Sequence, residues 1–172
     1  MRTVTFANLD LAQYLERNFI LVWDNQAPYP AANNQEALAQ REMASYPEGS
    51  GGSNVRSYFC TANDEIVLLL EGYWSAERYL ALAKFVRELG DQVTAQHQDE
   101  QVKALQKALR AHAQFVARER DLLAPAKTPD AEVQKKAAAL TSLQNSFHNS
   151  IPLAFKPAQG FLNQKWNERI LR

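Results

Sequence analysis

The sequence predicts a mixed α/β fold, a mixed sheet with helices, followed by a C-terminal α-helical hairpin and an apolar, aromatic tail. Three observations carry that prediction. Residues 53–85, SNVRSYFCTANDEIVLLLEGYWSAERYLALAKF, read as strand, turn, strand, helix. Two long amphipathic segments, 99–123 and 130–149, are separated only by the turn-rich APAKTPD. Two prolines, Pro152 and Pro157, then precede a short segment carrying Phe161, Leu162, Trp166, Ile170 and Leu171. The corresponding divisions are 1–90 for the α/β domain, 91–150 for the helical extension and 151–172 for the tail.

Each element has its own justification. Arg2–Phe6 alternates polar and apolar residues and is expected to form a short strand. Leu11, Tyr14 and Leu15 recur at helical spacing, with Asn8 or Asp10 as the cap. Phe19–Trp23 is a continuous apolar run rich in β-branched and aromatic residues. Such a run predicts a strand covered on both faces, as in a parallel sheet. A helix over 35–46 follows, capped by Asn33 or Asn34 and ended by Pro47 and EGSGGSN.

Val55–Cys60 and Ile66–Glu71 form an antiparallel hairpin around TAND, whose Asn and Asp bond their own backbone and tolerate left-handed geometry. Gly72 ends it. Ser75 caps a helix with the inner stripe Tyr79, Leu82, Ala83, Val86 and Leu89. Beyond Gly90 the pattern becomes that of paired helices. Val102, Leu105, Leu109, His112 and Val116 give one seam, and Val133, Ala137, Leu140, Leu143 and Phe147 the other. Thr128 is the expected cap of the second helix, with Pro129 at its first position, where a missing N–H costs nothing.

Composition narrows the function classes. Of 172 residues, 46% are hydrophobic and 22% charged, ordinary for a soluble chain long enough to bury a core. Apolar runs such as Ile66–Leu70 fall far short of the ~20 residues a membrane helix needs. The first residues lack the apolar centre of a signal peptide, so a cytoplasmic location is expected. The net charge is zero, yet residues 1–98 carry seven Lys/Arg against twelve Asp/Glu, and residues 99–172 carry twelve against seven. That asymmetry allows head-to-tail docking or an acidic partner. Nucleic acid is not favoured, because aromatics are not set among dense basic charge.

NDEIVLLLEGYWSAERYLALAKFV, residues 63–86, resembles the end of thioredoxin-like proteins: a turn, an apolar strand, a glycine, a capping serine and an amphipathic helix. FANLDLAQYLERNFILVW, residues 6–23, is similar to their earlier helix and following strand. The resemblance covers about residues 3–89 and implies a thioredoxin-like fold, truncated if Arg2–Phe6 is not a strand. The family's redox pair, Cys-x-x-Cys at a helix start, is absent. So is the cis-proline that faces it, with Arg56 standing about where it would fall. A helix terminus lowers a thiol's pKa only where a thiol is present, so the resemblance implies a silent scaffold.

The single cysteine, Cys60, rules out an internal disulfide and a four-cysteine zinc site. Strand parity groups it with Tyr58 and Arg56. A free cysteine usually serves as a small buried hydrophobe; a reactive one needs exposure and a nearby positive charge, which Arg56 could supply. EGSGGSN leads into a strand and lacks the lysine of a phosphate loop. His97, His112 and His148 are dispersed, and no cofactor or metal is expected. Asp64 and Glu65 read as solvated turn residues. Tyr73 and Trp74, between hairpin and helix, are candidate anchors for a protein partner. The tail either straps back onto the domain or inserts into a partner.

The resulting expectation is a catalytically silent thioredoxin-like protein that binds other subunits, self-association included, through Tyr73, Trp74, Phe161, Trp166 and Ile170. The alternative is a one-cysteine thiol redox enzyme or sensor using Cys60 and Arg56.

Overall fold

The computed structural model describes residues 5–22, 48–49, 56–123 and 130–158. In chain order the described elements are α1 (Leu9–Asn18), β1 (Arg56–Cys60), β2 (Ile66–Glu71), α2 (Ala76–Thr94), α3 (Gln98–Leu122), α4 (Ala131–Ser150) and a 3-10 turn, Ile151–Leu153. The described fold is therefore mixed α/β and mostly helical, with a small two-stranded antiparallel sheet.

Between the two candidate caps, Asn8 is the one used: its Oδ1 accepts from the Leu11 N–H at 3.0 Å. Leu11 and Leu15 then face inward, and Tyr14 is half-buried. Thr5–Ala7 form a turn, while Arg2–Val4 lie outside the described residues. The buried Thr5 hydroxyl donates to the Trp74 carbonyl at 2.6 Å and ties this turn to the hairpin exit.

The run expected as a strand at Phe19–Trp23 behaves differently. Phe19 has extended backbone, φ −137° and ψ 149°, but residues 19–22 have no ladder partner among the described residues, and Trp23 lies outside them. Extended dihedrals alone do not make a strand; it needs hydrogen-bonding neighbours. The Phe19 ring rests on Phe59 at 5.7 Å, whereas Ile20 and Leu21 are 83% and 42% exposed. The helix expected over 35–46 lies outside the described residues.

The hairpin matches its sequence. Arg56 opposes Glu71, Ser57 Leu70, Tyr58 Leu69, Phe59 Leu68, and Cys60 Ile66. Val67 is thus an extra residue, a bulge that shifts which backbone groups of β2 face outward. Asp64 sits at φ 61°, in the left-handed region that Asp tolerates. All of Ile66–Leu70 is buried, as a continuous apolar run requires.

What covers β2 on its far side is α4 and the segment after it. Ser150 Oγ accepts from the Leu69 N–H at 2.9 Å and donates to the Ser146 carbonyl at 2.7 Å. A helix serine here replaces a strand partner. Farther along, the Ile66 N–H donates to the Lys156 carbonyl, the Phe155 N–H to the Ile66 carbonyl, and the Ala158 N–H to the Asp64 carbonyl. Residues 155–158 therefore strap back along the β2 edge. Phe155 reaches this register through a left-handed φ of 56°, uncommon for a bulky side chain.

Ser75 caps α2 as expected, and its stripe is buried from Tyr79 to Leu89. The helix continues through Gly90 to Thr94, adding buried Val93. A single mid-helix glycine costs about 1 kcal/mol, too little to stop a helix with a buried residue beyond it. Contacts between α3 and α4 run in opposite order: Gln106 with Ile151, His112 with Phe147, Arg120 with Gln144. The pair is antiparallel.

Leu105, Leu109 and Val116 are buried on one side of this seam, and Leu140, Leu143 and Phe147 on the other. Val102 is exposed, and Val133 and Ala137 are half-buried. The cap of α4 is Asp130, whose Oδ1 accepts from the Val133 N–H at 2.8 Å, in place of the expected Thr128. A carboxylate there also meets the positive end of the helix dipole. One buried cluster runs from Leu11 through Phe59, Leu68 and Trp74 to Leu109, Leu143 and Phe147.

Candidate functional site

The hairpin's exit into α2 gathers most of the polar contacts near a predicted site residue. Gly72 turns the chain with φ +85°, a conformation that favours glycine, and delivers Tyr73, Trp74 and Ser75 in succession. Trp74 points inward. It is 0% exposed, and its Nε1–H donates to the Glu71 carbonyl at 3.0 Å. This corrects its expected role: a side chain with no exposed surface cannot anchor a partner, and Trp74 is a core residue. An aromatic this large, with its N–H satisfied, gains most by burial. Tyr73 stays half-buried at the surface.

Glu48 and Gly49, the first two residues of EGSGGSN, are docked at this corner. The Glu48 carboxylate accepts from the Ser75 N–H at 3.1 Å and from the Ser75 hydroxyl, and lies 3.7 Å from Arg78 Nε. It occupies the N-terminal end of α2, where negative charge is favoured. Gly49 donates its N–H to the Tyr73 carbonyl and passes tightly over Ser142 of α4. Burial, and then the Glu48 charge, push the Tyr73 hydroxyl above its ordinary pKa. The phenol is therefore a neutral hydrogen-bonding group. The sequence signal was a Ser75-x-x-Arg78 pair at a helix start, which can hold a carboxylate from elsewhere in the chain.

Cys60 lies at the other end of the hairpin, half-buried. Burial, and then the charge of Asp64, push its thiol up to about 12 from the ordinary 9.0. Arg56 does not offset this, because its Nε is engaged with Glu71 Oε1 at 3.4 Å, at the opposite end of β1. At pH 8 the difference between 9.0 and about 12 leaves roughly a thousandfold less thiolate than in an unfolded chain. Alkylation of Cys60 in the native protein is accordingly expected to be slower than in denaturant by about that factor. Equal rates, or a reactivity profile that bends near neutral pH, would contradict the buried placement.

His112 sits between Phe85, 4.2 Å away edge-on, and Phe147, 5.8 Å away and stacked, and burial lowers its pKa. It is a packing residue of the α2–α3–α4 junction. Among the described residues no three His, Cys, Asp or Glu side chains converge where a metal ion could be held. Among the same residues no helix is long and apolar enough to cross a membrane. Phe161, Trp166 and Ile170 lie outside the described residues. No family model, curated protein or solved structure matches this chain.

Proposed function

We propose that this chain is a catalytically silent, thioredoxin-like protein that works by binding other proteins, as an assembly subunit. The observation that carries the reading is the state of its one cysteine. Cys60 is half-buried and protonated at neutral pH, and the nearest candidate activator on its strand is occupied by Glu71. The antiparallel hairpin closed by a serine-capped helix supports the thioredoxin-like part of the proposal. No observation favours the one-cysteine redox reading, since a thiolate nucleophile requires a lowered pKa.

The proposed contact residues are Tyr73, which keeps an exposed part, and Phe161, Trp166 and Ile170 of the tail. The test is affinity isolation of the tagged full-length chain from its source cells, with a variant carrying F161A, W166A and I170A as the comparison. A protein recovered with the parent chain and lost with the variant supports the proposal. Identical recoveries, or disulfide reductase activity that disappears in Cys60→Ser, would overturn it.

A further inference from the structure

The solvent side of α3 carries a row of cations with no anion among them. Lys103, Lys107, Arg110 and Arg118 are all exposed, with exposed Gln114 between the last two. Steps of four, three, four and four keep these side chains within an arc of about 80° around the helix. The buried Leu105, Leu109 and Val116 lie on the opposite side. None of the four cations makes an ion pair among the described residues. The acids of α3 lie beyond the row, Asp99 and Glu100 in its first turn, Glu119 and Asp121 in its last. Asp121 is held by Arg120 at 2.9 Å. Four unpaired like charges over about 22 Å attract an anionic surface.

Two bulky apolar side chains adjoin this row. Phe115 and Leu122 are 57% and 78% exposed. They stand three residues before and four after Arg118, and so are its neighbours on the helix surface. This pair decides which anionic partner fits. A phosphate backbone gains nothing from Phe and Leu, whereas a lipid layer takes both beneath its headgroups. A protein surface is disfavoured, because lysine is depleted from protein interfaces and a convex helix face offers no pocket for an anchor. Lys and Arg stems lie readily along acyl chains with their charges at the headgroups. Four or more such cations on an amphipathic helix are the usual signature of anionic-lipid binding.

We infer that α3 is a peripheral docking face for an anionic lipid surface. Lys103, Lys107, Arg110 and Arg118 meet the headgroups, and Phe115 and Leu122 enter the acyl boundary. None of these residues is among the protein contacts proposed above, so failure here leaves that proposal standing.

Co-sedimentation of the full-length chain with vesicles tests this, with circular dichroism as the check on folding. The chain is expected to bind vesicles of phosphatidylcholine and phosphatidylglycerol in equal parts, and pure phosphatidylcholine far less. Binding should weaken as salt rises. Lys107→Ala and Arg110→Ala should each lower the partition about fivefold, and Phe115→Ser about tenfold. No binding to the anionic vesicles, equal binding to the neutral ones, or binding that K107A, R110A and F115S leave unchanged would each overturn the inference. So would a cation-dependent affinity for polyglutamate or a DNA duplex with none for vesicles, which would give the row a different partner.

Discussion

Replacing Trp74 with alanine is expected to destabilise the protein by about 3–5 kcal/mol, the range for removing a fully buried large aromatic. Three features put the loss at the upper end of what single substitutions do. Trp74 is 0% exposed, it belongs to the cluster joining α1, the hairpin and the helical pair, and the turn that holds it is bonded from Thr5. Against a total stability of roughly 5–15 kcal/mol for a domain, that loss leaves a measurable unfolded population or none folded at all. Urea unfolding followed by circular dichroism gives the number, with Trp74→Phe as the milder companion. Tyr73→Ala is the contrast: it should change stability little and report on binding. A Trp74→Ala protein as stable as the parent would mean that the indole is not in the core.

Gly49→Ala carries the second large effect, and it has a partner that can be tested. A Cβ at residue 49 would lie 2.1 Å from the Ser142 Cβ and 2.6 Å from its hydroxyl, and the backbone φ of +78° disfavours any side chain. The left-handed conformation costs an alanine roughly 1–2 kcal/mol, and overpacking adds about 1–3 kcal/mol. The cheapest escape is for Glu48–Gly49 to leave the corner, freeing Ser75 and Arg78 from the carboxylate. Ser142→Gly removes the clash but not the unfavourable φ. It weakens α4 by about 1 kcal/mol on its own account, so the comparison needs all four proteins. The cycle is expected to show a favourable coupling of about 1–2 kcal/mol. Additivity within about 0.5 kcal/mol would place Gly49 away from α4.

These two positions also show where sequence reasoning reached and where it stopped. Ser75 and the stripe from Tyr79 to Leu89 were legible because capping and helical period are local properties, written within one or two turns. Ile66–Leu70 was legible because a continuous apolar run has to be covered on both faces. Residues 19–22 carried the same signal without a ladder partner among the described residues, which no local pattern reports. Trp74 beside Tyr73 looked like a pair. Alternation past a glycine turn sent one inward and left the other at the surface. Glu48 could not be read from the sequence, because its partner Ser75 is 27 positions away and only the folded chain brings a carboxylate to that helix end.

The sequence by itself determined the periodic parts of this protein: the four amphipathic helices among the described residues, a hairpin around Thr61–Asp64, and the lack of a second thiol. Neighbouring residues decide these through backbone geometry and the separation of apolar from polar faces. Tertiary structure decided the rest. It gave β2 a serine and a returning strap as partners, withdrew Trp74 from the surface, paired Arg56 with Glu71, and left Phe115 exposed. Those outcomes depend on long-range competition for buried area and hydrogen-bond partners, and only a closed chain settles that competition.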